Sequence, residues 1–298
     1  MASISMESIL TIVYVLVDDW WEKAGKGWRH DKPGVRPLFK DSEMLTLMLA
    51  HEWLPYGGET QYIGYIRANY GTLFPQLVDQ SQYNRRAKDL GQFLEPLREY
   101  WLSQLKINTE ALLVDTKPVP VVGFKRDKKR SDFYGHASYG YCASLKLHYF
   151  GYKLVCLTTL EGVPVIYDLV PAHTDERLAA EAVLARIQNR RIYGDKGFLG
   201  AAWQTLMFEE NGHQILTFKR TNQKQQNSPA LNAFLGRHRS RIESTFNCLQ
   251  NTGRFLDRLF AKSIQGLCTR IAAKMSAWTL TLVLAQHFAI NVRTFEIS

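Results

Sequence analysis

The sequence predicts a helical N-terminal region followed by a mixed α/β domain, and three observations support this prediction. The chain has 298 residues, of which 46% are hydrophobic and 22% charged, enough to build a sizeable core in one large domain or two ordinary ones. Short helix-like segments fill the first third, and strand-like segments alternate with helix-like ones after it. We therefore expect a helical domain over residues 1–108 and an α/β domain over residues 109–298 that includes a C-terminal helix.

The first region reads as several short helices joined by tight turns. Asp41 or Ser42 is placed to cap a helix whose apolar residues continue to Trp53. The segments that follow are expected to be helices over 61–70, from about 81 and up to about 105.

Two interpretations of this region remain open. A helix that carries Arg85 and Arg86 suits a helix-turn-helix-like DNA-binding domain that recognises DNA ends. A helical packing or dimerisation domain fits equally well, because residues 1–110 hold 12 Lys and Arg against 14 Asp and Glu.

The second region has the order three strands, helix, strand, helix, strand, helix. Its strands are expected at 111–114, 144–159 (one long strand or two), 163–170, 191–195 and 214–218, and its helices at 176–189, 198–210 and 231–249. Alternation of this kind predicts a mixed sheet covered by helices.

The remaining patterns concern membranes and compartment. The apolar run 9–17 is too short to cross a bilayer, and residues 275–290 read as a packed C-terminal helix. None of the four cysteines forms a CxxC motif. We expect no membrane association and a cytoplasmic protein.

Charge points to a polyanionic partner. The formal charge is +9, and residues 111–298 hold 25 Lys and Arg against 14 Asp and Glu. A nucleic acid is the first candidate, and an ordinary basic enzyme is the alternative.

Three acids are placed to form one site. Asp115 follows the first strand of the second region, Asp195 ends the fourth, and Glu243 lies on the last helix. If the first and fourth strands are neighbours, the two aspartates lie side by side and a helix packed over that edge supplies the third carboxylate. Such oxygen ligands suit two Mg²⁺ or Mn²⁺ ions, which would support in-line phosphoryl transfer.

Each acid also has a purely structural explanation. An aspartate at a strand end is often a turn former or a helix cap. Arg239 and Glu243 are four residues apart on a helix and can form a surface ion pair. Asp168, inside the third strand, is a rival for a catalytic place.

Three segments resemble the acidic motifs of DDE transposases from bacterial insertion sequences, most closely the insertion-sequence nine-eighty-two group. They are Val114-Asp-Thr116, Tyr193-Gly-Asp-Lys-Gly-Phe198 and Arg239-Ser-Arg-Ile-Glu-Ser-Thr-Phe246. The resemblance runs from about Asp41 to about Phe260. It implies an RNase-H-like core, two divalent metal ions, a catalytic and metal-binding triad of Asp115, Asp195 and Glu243, and cleavage and joining of DNA at terminal inverted repeats. Such a protein would act in the bacterial cytoplasm at the nucleoid, and synapsis of two ends would require a homodimer on DNA.

The chain departs from the related families at two positions. Those families carry Tyr three residues before the arginine and Lys seven residues after the glutamate, where this chain has Gly236 and Gln250. The resemblance therefore does not extend to the treatment of the flanking strand.

Basic and aromatic side chains surround the three acids in the sequence. Residues 125–130 hold five basic residues in six positions, and a second group brackets Glu243. Phosphate contacts are expected from Lys125, Arg126, Lys128, Lys129, Arg130, Lys219, Arg220, Arg237, Arg239 and Arg241. Tyr134, Tyr139 and Tyr141 could stack on an unpaired base, although packing within the fold explains any single one.

The sequence supports a DNA transposase as the main hypothesis. A non-catalytic DNA-binding regulator that retains the fold is the first alternative, and a nuclease that cuts but never joins is the second.

Overall fold

The structure, a computed structural model, describes residues 4–28, 37–143 and 145–292. The chain divides into two units: one contains residues 1–105 and 251–298, and the other contains residues 106–250. The first unit is therefore built from both ends of the chain.

The first unit is helical in its described part. Its helices are α1 (Met6–Lys23), α2 (Asp41–Ala50), α3 (Glu59–Tyr70), α4 (Gln80–Leu90), α5 (Leu94–Gln104) and, after the second unit, α9 (Ile264–Phe288). The helices expected at 61–70, from 81 and up to 105 correspond to α3, α4 and α5. Helix α2 begins at Asp41 itself, and Glu43 accepts a hydrogen bond from the Lys40 amide at 2.6 Å, so the cap lies one residue earlier than expected.

Helix α9 forms the core of this unit. Most of its residues from Gly266 to Leu284 are buried, on every side of the helix, which is the pattern of a fully enclosed helix. Its hydroxyl groups bond to the N-terminal helices: Ser276 donates to the Leu94 carbonyl at 3.0 Å, and Thr281 accepts from the Trp53 indole at 3.1 Å.

A buried ionic cluster ties the same parts together. Glu52 is 2% exposed and forms an ion pair with Arg254, and its Oε2 lies 2.9 Å from Lys274 Nζ. Burial alone would raise the pKa of Glu52, but Arg254 and Lys274 hold it below its ordinary value. Residues from 251 onwards thus belong with the N-terminal helices and not, as the division at residue 108 placed them, with the α/β domain.

The second unit is the predicted mixed α/β unit. Its elements are β1 (Ala111–Val122), β2 (Ser138–Cys142), β3 (Leu147–Thr159), β4 (Pro164–Pro171), α6 (Glu176–Leu184), β5 (Arg191–Gly194), α7 (Ala201–Asn211), β6 (Gln214–Thr217) and α8 (Pro229–Asn251). The strand expected from Ser144 is β3, and Ser144 itself lies outside the described residues. Strand β2 was not predicted.

The strands form one sheet in the order β2-β3-β1-β5-β6, with β4 also paired to β3. Strand β1 is antiparallel to β3 and parallel to β5, and β5 is parallel to β6. Apolar residues of β1, β3 and β5 pack against α6 in a common core that includes Val114, Leu157, Val183 and Ile192. The sheet is therefore mixed, as predicted, with β1 in its middle.

Strand β1 continues well past the acid that was expected to end it. It pairs with β3 as far as Val122, through Pro118 and Pro120, whereas its pairing with β5 ends at Leu113. The two prolines are two residues apart, so both direct the position of their missing N–H to the same side, where no strand pairs. Asp115 therefore lies inside a strand, at the point where the neighbouring strand leaves it.

None of the helices in the described part combines the length and apolar character that a membrane span requires.

Candidate active site

Strand register places Asp115 and Asp195 next to each other. In the parallel pair, Leu112 lies opposite Ile192 and Leu113 opposite Tyr193. Two residues beyond this last pair come Asp115, which is still in β1, and Asp195, which directly follows β5. The expectation that the first and fourth predicted strands are neighbours is confirmed.

Both aspartates line a small cavity of about 20 Å³ between the sheet and α8. The cavity is lined by Leu113, Val114, Asp115, Tyr193, Gly194, Asp195, Phe218, Leu235, Arg239 and Ile242. It is large enough for one water-sized group, since about 10–15 Å³ suffices for that. Its position, where β1 and β5 separate, is the edge at which sheets of this kind bind ligands.

The surroundings of Asp115 disfavour its charged form. Burial raises its pKa to about 7, and the negative charges of Asp195 and Glu176 act in the same direction. The Thr116 amide donates to its Oδ1 at 2.7 Å, and Arg239 also favours the carboxylate, but neither compensates for burial. An additional positive charge at this place would therefore favour the carboxylate form of Asp115.

Asp195 is fixed by the turn that follows β5. Its Oδ1 accepts a hydrogen bond from the Gly197 amide at 2.6 Å, which caps the short 3₁₀ turn Lys196–Phe198. Capping is the structural explanation that the sequence left open for this aspartate. In the structure, Oδ1 of Asp195 makes the capping hydrogen bond, and the residue also lines the cavity.

Glu176 is an acid of this site that the sequence did not single out. It opens α6, and a Cβ atom added at Gly197 would overlap Glu176 Oε2 and lie 3.0 Å from Asp195 Oδ1. Burial and the charge of Asp195 raise the pKa of Glu176. In the sequence, Glu176 is indistinguishable from the acids that favour the first turn of any helix; the glycine of Gly-Asp-Lys-Gly-Phe was the available signal that something approaches there.

Glu243 stands apart from the two aspartates. It is half exposed on α8, and its Oε1 accepts a hydrogen bond from Arg239 Nε at 2.9 Å. Arg239 lines the cavity with Leu235 and Ile242, so Glu243 lies one turn beyond the cavity-lining arginine on the same helix. The surface ion pair considered from the sequence is present.

No three His, Cys, Asp or Glu side chains of the described residues are grouped closely enough to form a ready metal site. Besides burial, the charge of Asp195 raises the pKa of both Asp115 and Glu176, so these three acids are neighbours that offer oxygen donors. Their accumulated negative charge fits a hard divalent cation such as Mg²⁺ or Mn²⁺.

Asp168, the rival acid, has another partner. It lies on β4, opposite Val155 of β3, and its Oδ2 accepts a hydrogen bond from Arg186 at 2.7 Å. Its carboxylate is not among the groups that line the cavity.

The predicted phosphate-binding residues fall into two groups. Exposed or partly exposed positions are held by Arg85, Lys125, Arg126, Lys129, Arg130, Lys219, Arg220, Arg237, Arg239 and Arg241.

Two residues differ from the expectation that they face DNA. Arg86 is largely buried and pairs with Asp41 at 2.8 Å. Lys128 is 7% exposed, and its ammonium donates hydrogen bonds to the Gly123, Phe124 and Arg126 carbonyls. Both charged groups therefore bind partners within the protein: a carboxylate for Arg86 and backbone carbonyls for Lys128.

Comparison with known proteins gives one family match. Residues 107–280 match the model of a family described as "Transposase DDE domain". No curated protein matches the chain.

The solved structures offer only a distant likeness. A pre-cleavage Mos1 transpososome shares 12% identity over 76% of this chain and 86% of that chain, with a TM-score of 0.22. The Mos1 Strand Transfer Complex shares 12% identity over 80% and 86%, with a TM-score of 0.23. Similarity at this level supports no argument about the fold or the function.

Proposed function

Because the chain belongs to the family of transposase DDE domains, we propose that it is the transposase of a bacterial insertion sequence. It cleaves DNA at the terminal inverted repeats of its element and joins the ends to target DNA, using Mg²⁺ or Mn²⁺. One observation carries the proposal beyond the family: Asp115 in β1 and Asp195 directly after β5 each follow the last paired residues of these strands by two positions, and both line one cavity.

The residues present fit the metal ions that this chemistry needs. Asp115 and Asp195 offer carboxylate oxygens, and the pKa values of Asp115 and Glu176 are raised first by burial and then by the charges of neighbouring acids, both of which a bound cation would offset. Divalent cations in such a site supply an activated water or 3′-hydroxyl and stabilise the leaving oxygen. The task of Asp115 is to be deprotonated when the ion binds, and that of Asp195 is to hold its carboxylate against the Gly197 amide.

Glu243 is proposed as the third acid of the site. Its carboxylate is bound to Arg239, which already lines the cavity. When Glu243 turns from Arg239 towards the aspartates, the guanidinium is released to neutralise a DNA phosphate. In this proposal, one ion pair explains both the role of Glu243 as third acid and the role of Arg239 as a phosphate contact.

Further parts of the proposal concern the assembly. We infer an RNase-H-like core, because the mixed sheet has a central first strand with antiparallel strands on one side and parallel strands on the other. The helical unit recognises the element ends with Arg85 in a helix-turn-helix-like role, and the exposed basic residues of the second unit contact phosphates. The protein acts as a homodimer on DNA in the bacterial cytoplasm, at the nucleoid.

The test compares two substitutions with a matched control on DNA that carries the inverted repeats flanking the coding region. Asp115→Asn and Glu243→Gln are each expected to abolish Mg²⁺-dependent cleavage and to leave DNA binding intact, because each removes one charge without changing the size of the side chain. Asp168→Asn, which alters an acid paired with Arg186, should cleave as wild type. Full cleavage by either of the first two variants refutes the assignment.

The non-catalytic regulator is the second candidate, because Glu243 is bound to Arg239 and not gathered with the aspartates. It predicts binding of inverted-repeat DNA without cleavage by the wild-type chain, and no Mn²⁺ binding in a calorimetric titration. The transposase predicts Mn²⁺ binding that Asp115→Asn removes. A nuclease that never joins would cut the same DNA but fail to insert pre-cut ends into a plasmid.

A further inference from the structure

Strand β2 and the first part of β3 form a hairpin that presents aromatic rings on one face. Tyr141 lies opposite His148 and Tyr139 opposite Phe150, so these four side chains share a face. The Tyr141 and His148 rings are 4.5 Å apart, and the Phe124 ring meets Tyr139 edge-on at 5.7 Å. We call Phe124, Tyr139, Tyr141 and His148 the aromatic platform.

The platform is open to solvent although it is largely apolar. Phe124 is 50% exposed, Tyr139 56% and Tyr141 52%, whereas Phe150 beside them is buried. Single exposed aromatic residues are common, but adjacent ones expose a contiguous apolar surface that is typical of binding sites. Tyr139 and Tyr141 are two residues apart in one strand, so their side chains lie on the same face.

A buried lysine holds the platform together from below. The Lys128 ammonium lies 5.8 Å from the centre of the Phe124 ring and 5.6 Å from that of Tyr139, and it binds the Gly123 and Phe124 carbonyls. It therefore fixes the loop that carries Phe124 and pairs with the faces of the rings. These contacts restrict the Phe124 and Tyr139 rings in the absence of a ligand, which lowers the entropic cost of binding.

Positive charge surrounds this fixed loop. Lys125, Arg126, Lys129 and Arg130 are exposed in the same segment as Lys128. A surface that combines exposed rings with adjacent cations is suited to single-stranded nucleic acid, in which the bases offer free faces for stacking and the phosphates bind the cations. A duplex offers the phosphates but not the faces of its bases.

We propose that the aromatic platform binds an unpaired DNA segment by stacking bases on Tyr139 and Tyr141. The choice of DNA as the ligand rests on the proposed function; the preference for an unpaired strand rests on the platform itself. The Phe124 ring supports Tyr139 and the His148 ring supports Tyr141, while Lys128 is a positioning residue against Phe124 and Tyr139. The basic residues of the loop contribute phosphate contacts that do not depend on base pairing.

The experiment measures binding of labelled oligothymidylate and of a duplex to the full chain by fluorescence anisotropy, in EDTA so that no cleavage occurs. Tyr139→Leu and Tyr141→Leu keep apolar area but remove the ring, and each should weaken single-strand binding about tenfold or more. Duplex affinity should change less than about twofold. Tyr141→Phe, which keeps the ring, should bind the single strand as wild type does.

Two control substitutions separate stacking on the platform from DNA binding in general. Phe208→Leu alters a ring that is 56% exposed on α7, away from the platform, and should change neither affinity. Lys125→Ala should weaken binding of both DNA forms and reduce the salt dependence.

The proposal is overturned if both Leu variants bind the single strand like wild type. It is also overturned if they lose duplex and single-strand binding equally, or if they change the oligomeric state and not DNA affinity, which would identify the platform as an interface between chains. Failure of the wild-type chain to bind either DNA form would refute the proposed function and this proposal together, whereas binding of the duplex but not of the single strand would overturn this proposal alone.

Discussion

Asp115 shows how a single residue in this site depends on its surroundings. Its carboxyl group is buried next to other acids, and its pKa is raised to about 7. The unfolded chain would lose this proton near the ordinary value of about 4. Between these two values, the folded protein keeps a proton that the unfolded chain has released.

This difference makes stability depend on pH in the metal-free protein. Because the folded state binds more protons than the unfolded state from about pH 4 to about pH 7, the free energy of unfolding falls as pH rises, by up to about 1.4 kcal/mol per pH unit. Asp115→Asn should remove most of this fall and raise stability at neutral pH. Urea unfolding in EDTA, followed by circular dichroism at several pH values, measures it; Asp168→Asn should keep the wild-type slope, and an unchanged slope in Asp115→Asn would contradict the account.

Glu176 leads to a second prediction at the same scale. Its carboxylate touches Gly197 and faces Asp195, so it adds negative charge to the place where we propose that cations bind. Glu176→Gln should therefore weaken Mn²⁺ binding about 10-fold or more, as loss of a supporting carboxylate does in other metal sites. Calorimetric titration of Mn²⁺ measures the change, and Glu209→Gln, an exposed acid on α7, serves as the control. Equal affinity in the two variants would exclude Glu176 from the site.

At the scale of elements, the parts that were predictable are those with local signals. Apart from β2, which was not predicted, the order of strands and helices in the second unit follows from periodicity and turn residues, and the bounds of α8 lie within two residues of the prediction. Proline normally argues against a strand, so the extension of β1 through Pro118 and Pro120 was not visible; it is allowed only because β5 leaves that edge. Likewise, Lys128 looked like any loop cation, since only the fold shows that three carbonyl groups enclose it.

The ionic cluster of the first unit joins elements that are distant in sequence. Glu52 follows α2, whereas Arg254 precedes α9 and Lys274 lies within it. Removing the carboxylate would leave two buried cations without their counter-ion, which costs about 3–5 kcal/mol for a buried pair.

Glu52→Ala should therefore lower the free energy of unfolding of the first unit by about this amount, as measured by urea unfolding followed by tryptophan fluorescence. Glu22→Ala, which breaks the exposed pair with Lys26, should change it by less than about 1 kcal/mol. Similar effects from both substitutions would show that the buried cluster contributes little.

At the scale of the whole molecule, the two units differ in charge as well as in fold. Residues 106–250 hold 20 Lys and Arg against 13 Asp and Glu, whereas residues 1–105 and 251–298 together hold 17 against 15, in agreement with the proposal that the second unit contacts DNA phosphates. The change from helix-like segments to alternating strands and helices predicted two domains, but nothing in the periodicity of α9 shows which apolar surface it will meet. Its assignment to the first unit is a long-range property, set by contacts with residues 182 and 228 positions earlier, namely Leu94 and Trp53.

This arrangement has a consequence for synthesis on the ribosome. Helices α1 to α5 emerge first, yet the helix that they enclose is translated only after the whole second unit. At about 5–20 residues per second, they wait on the order of ten seconds with their apolar faces uncovered. A chain that ends early in α9 would therefore contain the whole sheet with its two aspartates, but its N-terminal helices would lack the helix that they enclose. In the complete chain, the need for chaperones would be greatest between the synthesis of α5 and that of α9.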